Sequence, residues 1–117
     1  KVFLAYENNK KDKNFKNLHE NFKILKKIKI GSSQIKIIKI PMPRPIYIEK
    51  VRVPASYLNF YIFNKFVLLP TFNDPKDKIV IKIFKKEFNN RKIIPIDCSE
   101  LIWGFGAIHC LTQQEPN

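Results

Sequence analysis

The sequence predicts an α/β fold in which short strands alternate with two amphipathic helices. Three observations carry this expectation. β-Branched runs such as Gln34–Ile40 and Arg91–Asp97 read as strands. Apolar residues recur at three- and four-residue steps between Asp12 and Ile28. Asp74-Pro75 supplies a helix opening, with a carboxylate for the first free N–H groups and a proline suited to the first helical position.

Taken in order, Val2–Tyr6 is a short apolar strand and Asn8–Lys13 a polar turn. Phe15, Leu18, Phe22, Leu25 and Ile28 line one face of the first helix, whose other face is rich in Lys and Asn. Gly31 and Ser32 are expected to end it, glycine tolerating the left-handed backbone that follows a helix. After the strand Gln34–Ile40, the run Pro41-Met42-Pro43-Arg44-Pro45 cannot continue a central strand, because proline has no N–H to donate. A loop therefore runs to about Ser56.

Tyr57–Phe63 and Phe66–Phe72 form an expected hairpin turning at Asn64-Lys65. The second helix carries Ile79, Val80, Ile83, Phe84 and Phe88 on one face. Arg91–Asp97 is a strand, Ser99–Trp103 a helical turn, Gly104–Gly106 a loop and Ala107–Thr112 a last strand. The order amounts to about two copies of a strand–strand–helix–strand (ββαβ) unit, the first lacking a strand ahead of Val2.

With 117 residues, 44% of them hydrophobic, the chain has the material for a real core and is not a disordered tail. No apolar run approaches the roughly 18–20 residues of a membrane span. The first residue is Lys1 and the only methionine is Met42, so the sequence reads as a piece of a longer polypeptide. The net charge of +12 invites a nucleic-acid reading. However, the basic residues are 19 Lys against 3 Arg, beside 18 Ile and 11 Asn, a profile that an AT-rich coding sequence produces without any such partner. No RRM, KH or zinc-finger signature accompanies the charge.

Two cysteines, Cys98 and Cys110, do not make a disulfide framework, and with His19 and His109 they show no metal-ligand spacing. A cytoplasmic setting and no metal are the expectations. Cys110 follows the glycine-spaced loop Gly104-Phe105-Gly106, which lets the backbone approach a ligand closely. Spacing alone leaves it open as a nucleophile or, the commoner use of cysteine, a buried apolar residue. On the expected strand, His109 and Cys110 face opposite ways, which argues against His109 as the base. His19 reads as a surface residue of the first helix. The aromatics Tyr57, Phe60, Tyr61, Phe63 and Phe66 read as core rather than as a base-stacking platform.

The stretch Ile108-His109-Cys110-Leu111-Thr112-Gln113-Gln114-Glu115-Pro116 resembles the C-terminal signature of the agmatine deiminase and bacterial-type peptidylarginine deiminase family. Three further segments agree with that family in order and spacing: Pro41-Met42-Pro43, Ala55-Ser56-Tyr57-Leu58-Asn59-Phe60-Tyr61-Ile62 and Pro70-Thr71-Phe72-Asn73-Asp74-Pro75. The resemblance is close from Pro41 to Pro116 and weaker before it.

The resemblance implies a pentein, a five-bladed α/β propeller of ββαβ units, of which residues 1–117 would be about two blades at the C-terminal end. It further implies hydrolytic deimination of a guanidine without metal or organic cofactor, with Cys110 as nucleophile and the backbone of Gly106 and Ala107 lining the substrate pocket. The partner would be a small guanidine such as agmatine, or an arginine side chain, with no nucleic acid and no membrane; oligomeric state stays open. The family's Gly-His-x-Asp motif and its other carboxylates are not in this sequence, so the piece alone should be inactive. Phe105 stands where the family often has glycine, and Ala107 where glycine or asparagine is common. The alternatives are a basic nucleic-acid-binding module, whose binding would fall steeply with salt, and a non-catalytic interaction domain.

Overall fold

The computed structural model describes residues 1–115; Pro116, the end of the signature stretch, lies outside the described residues. The chain divides into two compact units, Lys1–Met42 and a second that begins at Pro43.

In the first unit, β1 (Val2–Tyr6) pairs in parallel with a strand at Ile37–Pro41, and the amphipathic helix α1 (Phe15–Lys27) makes the crossover between them. Parallel neighbours need such a long connection, and a helix is its usual form. Two short strands, β2 (Lys29–Ile30) and β3 (Ser33–Gln34), intervene as a small hairpin, so Ile37–Pro41 is β4. This corrects the expected role of Gly31. Its φ of 60° serves the hairpin turn, while the helix ends earlier at the extended Ile28. The expected strand from Gln34 is thereby split in two. Leu4, Ile38 and Ile40 are the buried core of the unit.

His19 is not a simple surface residue. Its ring lies 3.9 Å from that of Phe15 and 4.5 Å from that of Tyr6, and its Nε2 is 3.0 Å from the Glu7 carbonyl. Helical spacing brings His19 to the same side as Phe15, four residues away, which is why it packs.

The second unit holds the mixed sheet β7 (Tyr61–Phe63), β8 (Phe66–Thr71) and β9 (Lys92–Asp97), with β8 in the middle. β7 and β8 are antiparallel and turn at Asn64-Lys65 as expected, with Asn64 at a φ of 45°. β8 and β9 are parallel, joined by α2 (Asp77–Glu87). This is one strand–strand–helix–strand unit. Val67, Leu69, Val80, Phe84 and Ile93 are buried between sheet and helix; each such side chain contributes about 1.5–3 kcal/mol relative to exposure. Phe60 packs edge-on against Phe84, with ring centroids 5.0 Å apart. Ile79, expected on the apolar face, is exposed instead.

Two further expectations are corrected. The long loop contains a small hairpin of β5 (Tyr47–Ile48) and β6 (Val51–Arg52), turning through Glu49 and Lys50 at φ values of 47° and 69°. The more familiar glycine-bearing turn signal is missing there, which hid it. The last strand does not form. Leu101–Gly104 and His109–Leu111 are both 3-10 turns, and the described residues between and after them are irregular.

The start of α2 fixes what precedes the site. Asp74 Oδ1 accepts the Lys76 N–H at 2.8 Å, while Asp77 Oδ2 accepts the Asp74 N–H at 3.1 Å. These two reciprocal side-chain-to-backbone bonds lock the turn through Pro75 that leads into the helix, which itself opens at Asp77 rather than at Pro75. Asp77 Oδ1 also accepts the hydroxyl of the fully buried Tyr57 at 2.6 Å. Asp74 Oδ2 in turn accepts the Arg44 N–H at 2.8 Å and its Nε at 3.2 Å, fastening the long loop.

Candidate active site

Tyr57 does not begin a strand. Ser56–Asn59 is a turn, closed by the Asn59 N–H on the Ser56 carbonyl at 3.2 Å and the Leu58 N–H on Ser56 Oγ at 3.2 Å. With Tyr57 sunk in the core, this turn carries Asn59 to the 3-10 turn at His109–Leu111, some fifty residues on. There Asn59 makes three bonds. Its Nδ2 donates to Cys110 Sγ at 2.9 Å, its Oδ1 accepts the Cys110 N–H at 3.3 Å, and its carbonyl accepts the His109 N–H at 3.2 Å.

The other wall of the turn is Gly106. A Cβ placed there would stand 2.9 Å from Cys110 Cβ and 3.5 Å from Sγ, so only glycine allows this approach. Ala107 is fully buried, and what it presents to the sulfur is its N–H. The structure therefore brings Gly106, Ala107 and Cys110 together, and adds Asn59. That residue lies inside the Ala55–Ile62 segment; an amide amid an aromatic run was its only mark in the sequence.

The two cysteines have opposite environments. Cys98 is fully buried, and burial, with Asp97 beside it, pushes its thiol up. Cys110 is exposed, and its pKa is lowered, first by the Asn59 side-chain donor and then by the Ala107 N–H. Hydrogen bonds donated to a sulfur favour its ionised form, which is the nucleophilic one. The arrangement can present a thiolate to a small electrophile.

His109 is exposed and sits on a 3-10 turn. The alternation of faces expected of a strand does not apply to it, because backbone in a 3-10 turn advances by thirds of a turn rather than halves. It lines a concavity of about 520 Å³ together with Leu58, Phe60, Ile62 and Gln113, which Cys110 does not line. Among the described residues there is no cluster of three His, Cys, Asp or Glu side chains that could hold a metal ion, and no helix is long and apolar enough to cross a membrane.

The family model of the Porphyromonas-type peptidyl-arginine deiminases matches residues 1–116. A relative from Legionella pneumophila (strain Paris) is 33% identical over 118 residues, which cover 99% of this chain and 34% of that protein. The agmatine deiminase of Pseudomonas putida is 31% identical over 134 residues, covering 98% of this chain and 36% of its own. The solved structure of the agmatine deiminase of Enterococcus faecalis superposes with a TM-score of 0.88 at 24% identity, over 97% of this chain and 36% of that one, a likeness of fold. The chain thus spans about a third of the length of the proteins it matches. On the family match over nearly every residue, this chain belongs to the Porphyromonas-type peptidyl-arginine deiminase family.

Proposed function

We propose that this chain is the C-terminal portion of a cytoplasmic guanidine deiminase of five-bladed propeller architecture, and that Cys110 is its nucleophile. The observation that supports this best is the setting of the sulfur: exposed, and hydrogen-bonded by Asn59 Nδ2 and the Ala107 N–H in a way that lowers its pKa.

In this reading the Cys110 thiolate attacks the central carbon of a guanidinium, forming a C–S bond. Ammonia leaves with a proton supplied by the enzyme. Water then adds to the thiouronium carbon, and the C–S bond breaks to return the thiolate and a urea-type product. Agmatine would yield N-carbamoylputrescine, and peptidyl arginine would yield citrulline. Asn59 holds the sulfur in place and favours its charge; Gly106 keeps the approach open; the backbone of Gly106 and Ala107 lines the pocket. No metal or organic cofactor takes part.

A guanidinium is a resonance-stabilised cation and must be held against carboxylates while a general acid and base move protons. This sequence contains no Gly-His-x-Asp motif, so those groups come from elsewhere in the longer protein, and the 117 residues alone do not turn over. The test is ammonia release by the full-length protein from agmatine and from an arginine peptide. Loss of turnover in Cys110→Ala is expected. Turnover equal to wild type would remove Cys110 from the mechanism.

A further inference from the structure

Phe105 occupies a conformation that its residue type disfavours. Its φ is 61° and ψ 19°, in the left-handed region, where a Cβ crowds the following carbonyl. The residues on either side, Gly104 and Gly106, adopt that region freely, yet neither is in it here. The turn is closed instead by the Phe105 N–H on the Ile102 carbonyl at 2.9 Å.

Nor does packing of the ring account for the conformation, since Phe105 is 57% exposed. Non-glycine residues in such backbone regions gather at ligand clamps and active sites. The next residue, Gly106, is the one whose close approach shapes the wall of Cys110, and the one after it, Ala107, gives its N–H to the sulfur. A large exposed ring thus stands one residue ahead of the two that touch the nucleophile, which is itself exposed.

We propose that Phe105 is a specificity-determining residue whose ring narrows the approach to Cys110, selecting slender, unbranched alkylguanidines over arginine carried within a peptide. The inference rests on the guanidine reading above and names the substrate class within it. A ring placed in that approach would leave a linear methylene chain room to pass, while the peptide backbone on both sides of an arginyl residue would collide with it.

The test is alkylation of the full-length protein, in wild type, Phe105→Ala and Phe105→Gly, mapped by peptide mass so that Cys110 is read apart from the buried Cys98 and every other cysteine. Four reagents are used: chloroacetamidine, its N-benzyl derivative, and the two matching neutral chloroacetamides. In each reaction the thiolate forms a C–S bond at the methylene carbon and chloride leaves with the C–Cl pair. The comparison of charged with neutral reagents probes the guanidine reading: a preference of Cys110 for the amidinium supports it, and no preference counts against it.

The comparison of small with bulky reagents probes Phe105 separately, whichever charge is used. Wild type is expected to favour the small reagent by roughly tenfold, the order that one misfit group costs in a shaped pocket. Both variants should lose most of that preference with little change in the small-reagent rate. Phe105→Ala removes the ring and keeps the strained backbone, whereas Phe105→Gly removes both. A size preference unchanged in both variants overturns the proposal; one lost only in Phe105→Gly assigns it to the backbone and overturns the role of the ring.

Discussion

Replacing Gly106 with alanine tests the geometry of the candidate site most directly. The new Cβ would lie 2.9 Å from Cys110 Cβ. Carbon atoms in favourable contact sit at about 3.5–4.0 Å, so the overlap is at least about 0.6 Å. The struck atom is the root of the cysteine side chain, which no rotamer change can move aside. The His109–Leu111 turn or the Gly104–Gly106 loop has to shift, and forced repacking of this kind costs about 1–3 kcal/mol.

The shift should also draw Sγ away from the Ala107 N–H and Asn59 Nδ2, so the thiol moves back up toward its ordinary range. Gly104→Ala is the matched control. A Cβ there meets nothing within 4 Å, and φ is not left-handed. Its effect should be neutral or a gain of about 0.4–1 kcal/mol from the stiffer unfolded chain. Urea unfolding gives the stability difference, and the rate of iodoacetamide alkylation against pH gives the thiol midpoint. Gly106→Ala should lose stability and shift its midpoint upward, while Gly104→Ala does neither. If the two variants proved equally stable with the same alkylation profile, the tight wall around the sulfur would be refuted.

Three other perturbations follow from the hydrogen bonds described. Asn59→Ala removes the main donor to the sulfur; ultraviolet thiolate absorbance should then titrate at higher pH than in wild type, and an unmoved midpoint would discount Asn59. Tyr57→Phe deletes a buried hydroxyl bonded to a carboxylate at 2.6 Å, for a loss of about 1.5–3 kcal/mol in urea unfolding. Burial and then Asp77 raise the folded pKa of Tyr57, so this stabilisation is complete below the unfolded value of about 10 and declines above it; the gap between variant and wild type should close in alkali. For Asp74, burial pushes the carboxyl up, but the N–H groups of Arg44 and Lys76 and the Arg44 guanidinium outweigh it and hold the pKa low. The stabilisation is present above the ordinary value near 4 and is lost as pH falls through the depressed one, so Asp74→Asn should be destabilised at neutral pH and match wild type in acid.

The elements with strong local signals were legible in the sequence. α1 and α2 showed the helical period, the Asn64-Lys65 turn separated two apolar runs, and Asp74 with Pro75 marked the turn that leads into a helix, which opens two residues later than expected at Asp77. The errors fall where long-range contacts decide. Ala107–Thr112 is apolar enough for a strand, but the turn it forms is held by Asn59 through bonds that no local window contains. The Glu49-Lys50 hairpin uses left-handed residues without glycine, so its turn chemistry was silent. For the site, the signature stretch pointed to Cys110 and its glycine loop, whereas the closest polar partner of the sulfur needed coordinates to find.

The bond between Asn59 and Cys110 spans 51 positions of chain. Contacts of that reach form only after the entropy of closing a long loop has been overcome. In a nascent or heat-disordered polypeptide the same sulfur therefore behaves like any free thiol. Its acidity arises with the tertiary structure and vanishes with it, so chemical reactivity at one atom reports whether two distant segments have met. Were this sulfur to do the proposed chemistry, an incompletely folded copy would carry no sharpened nucleophile to spend on bystander molecules.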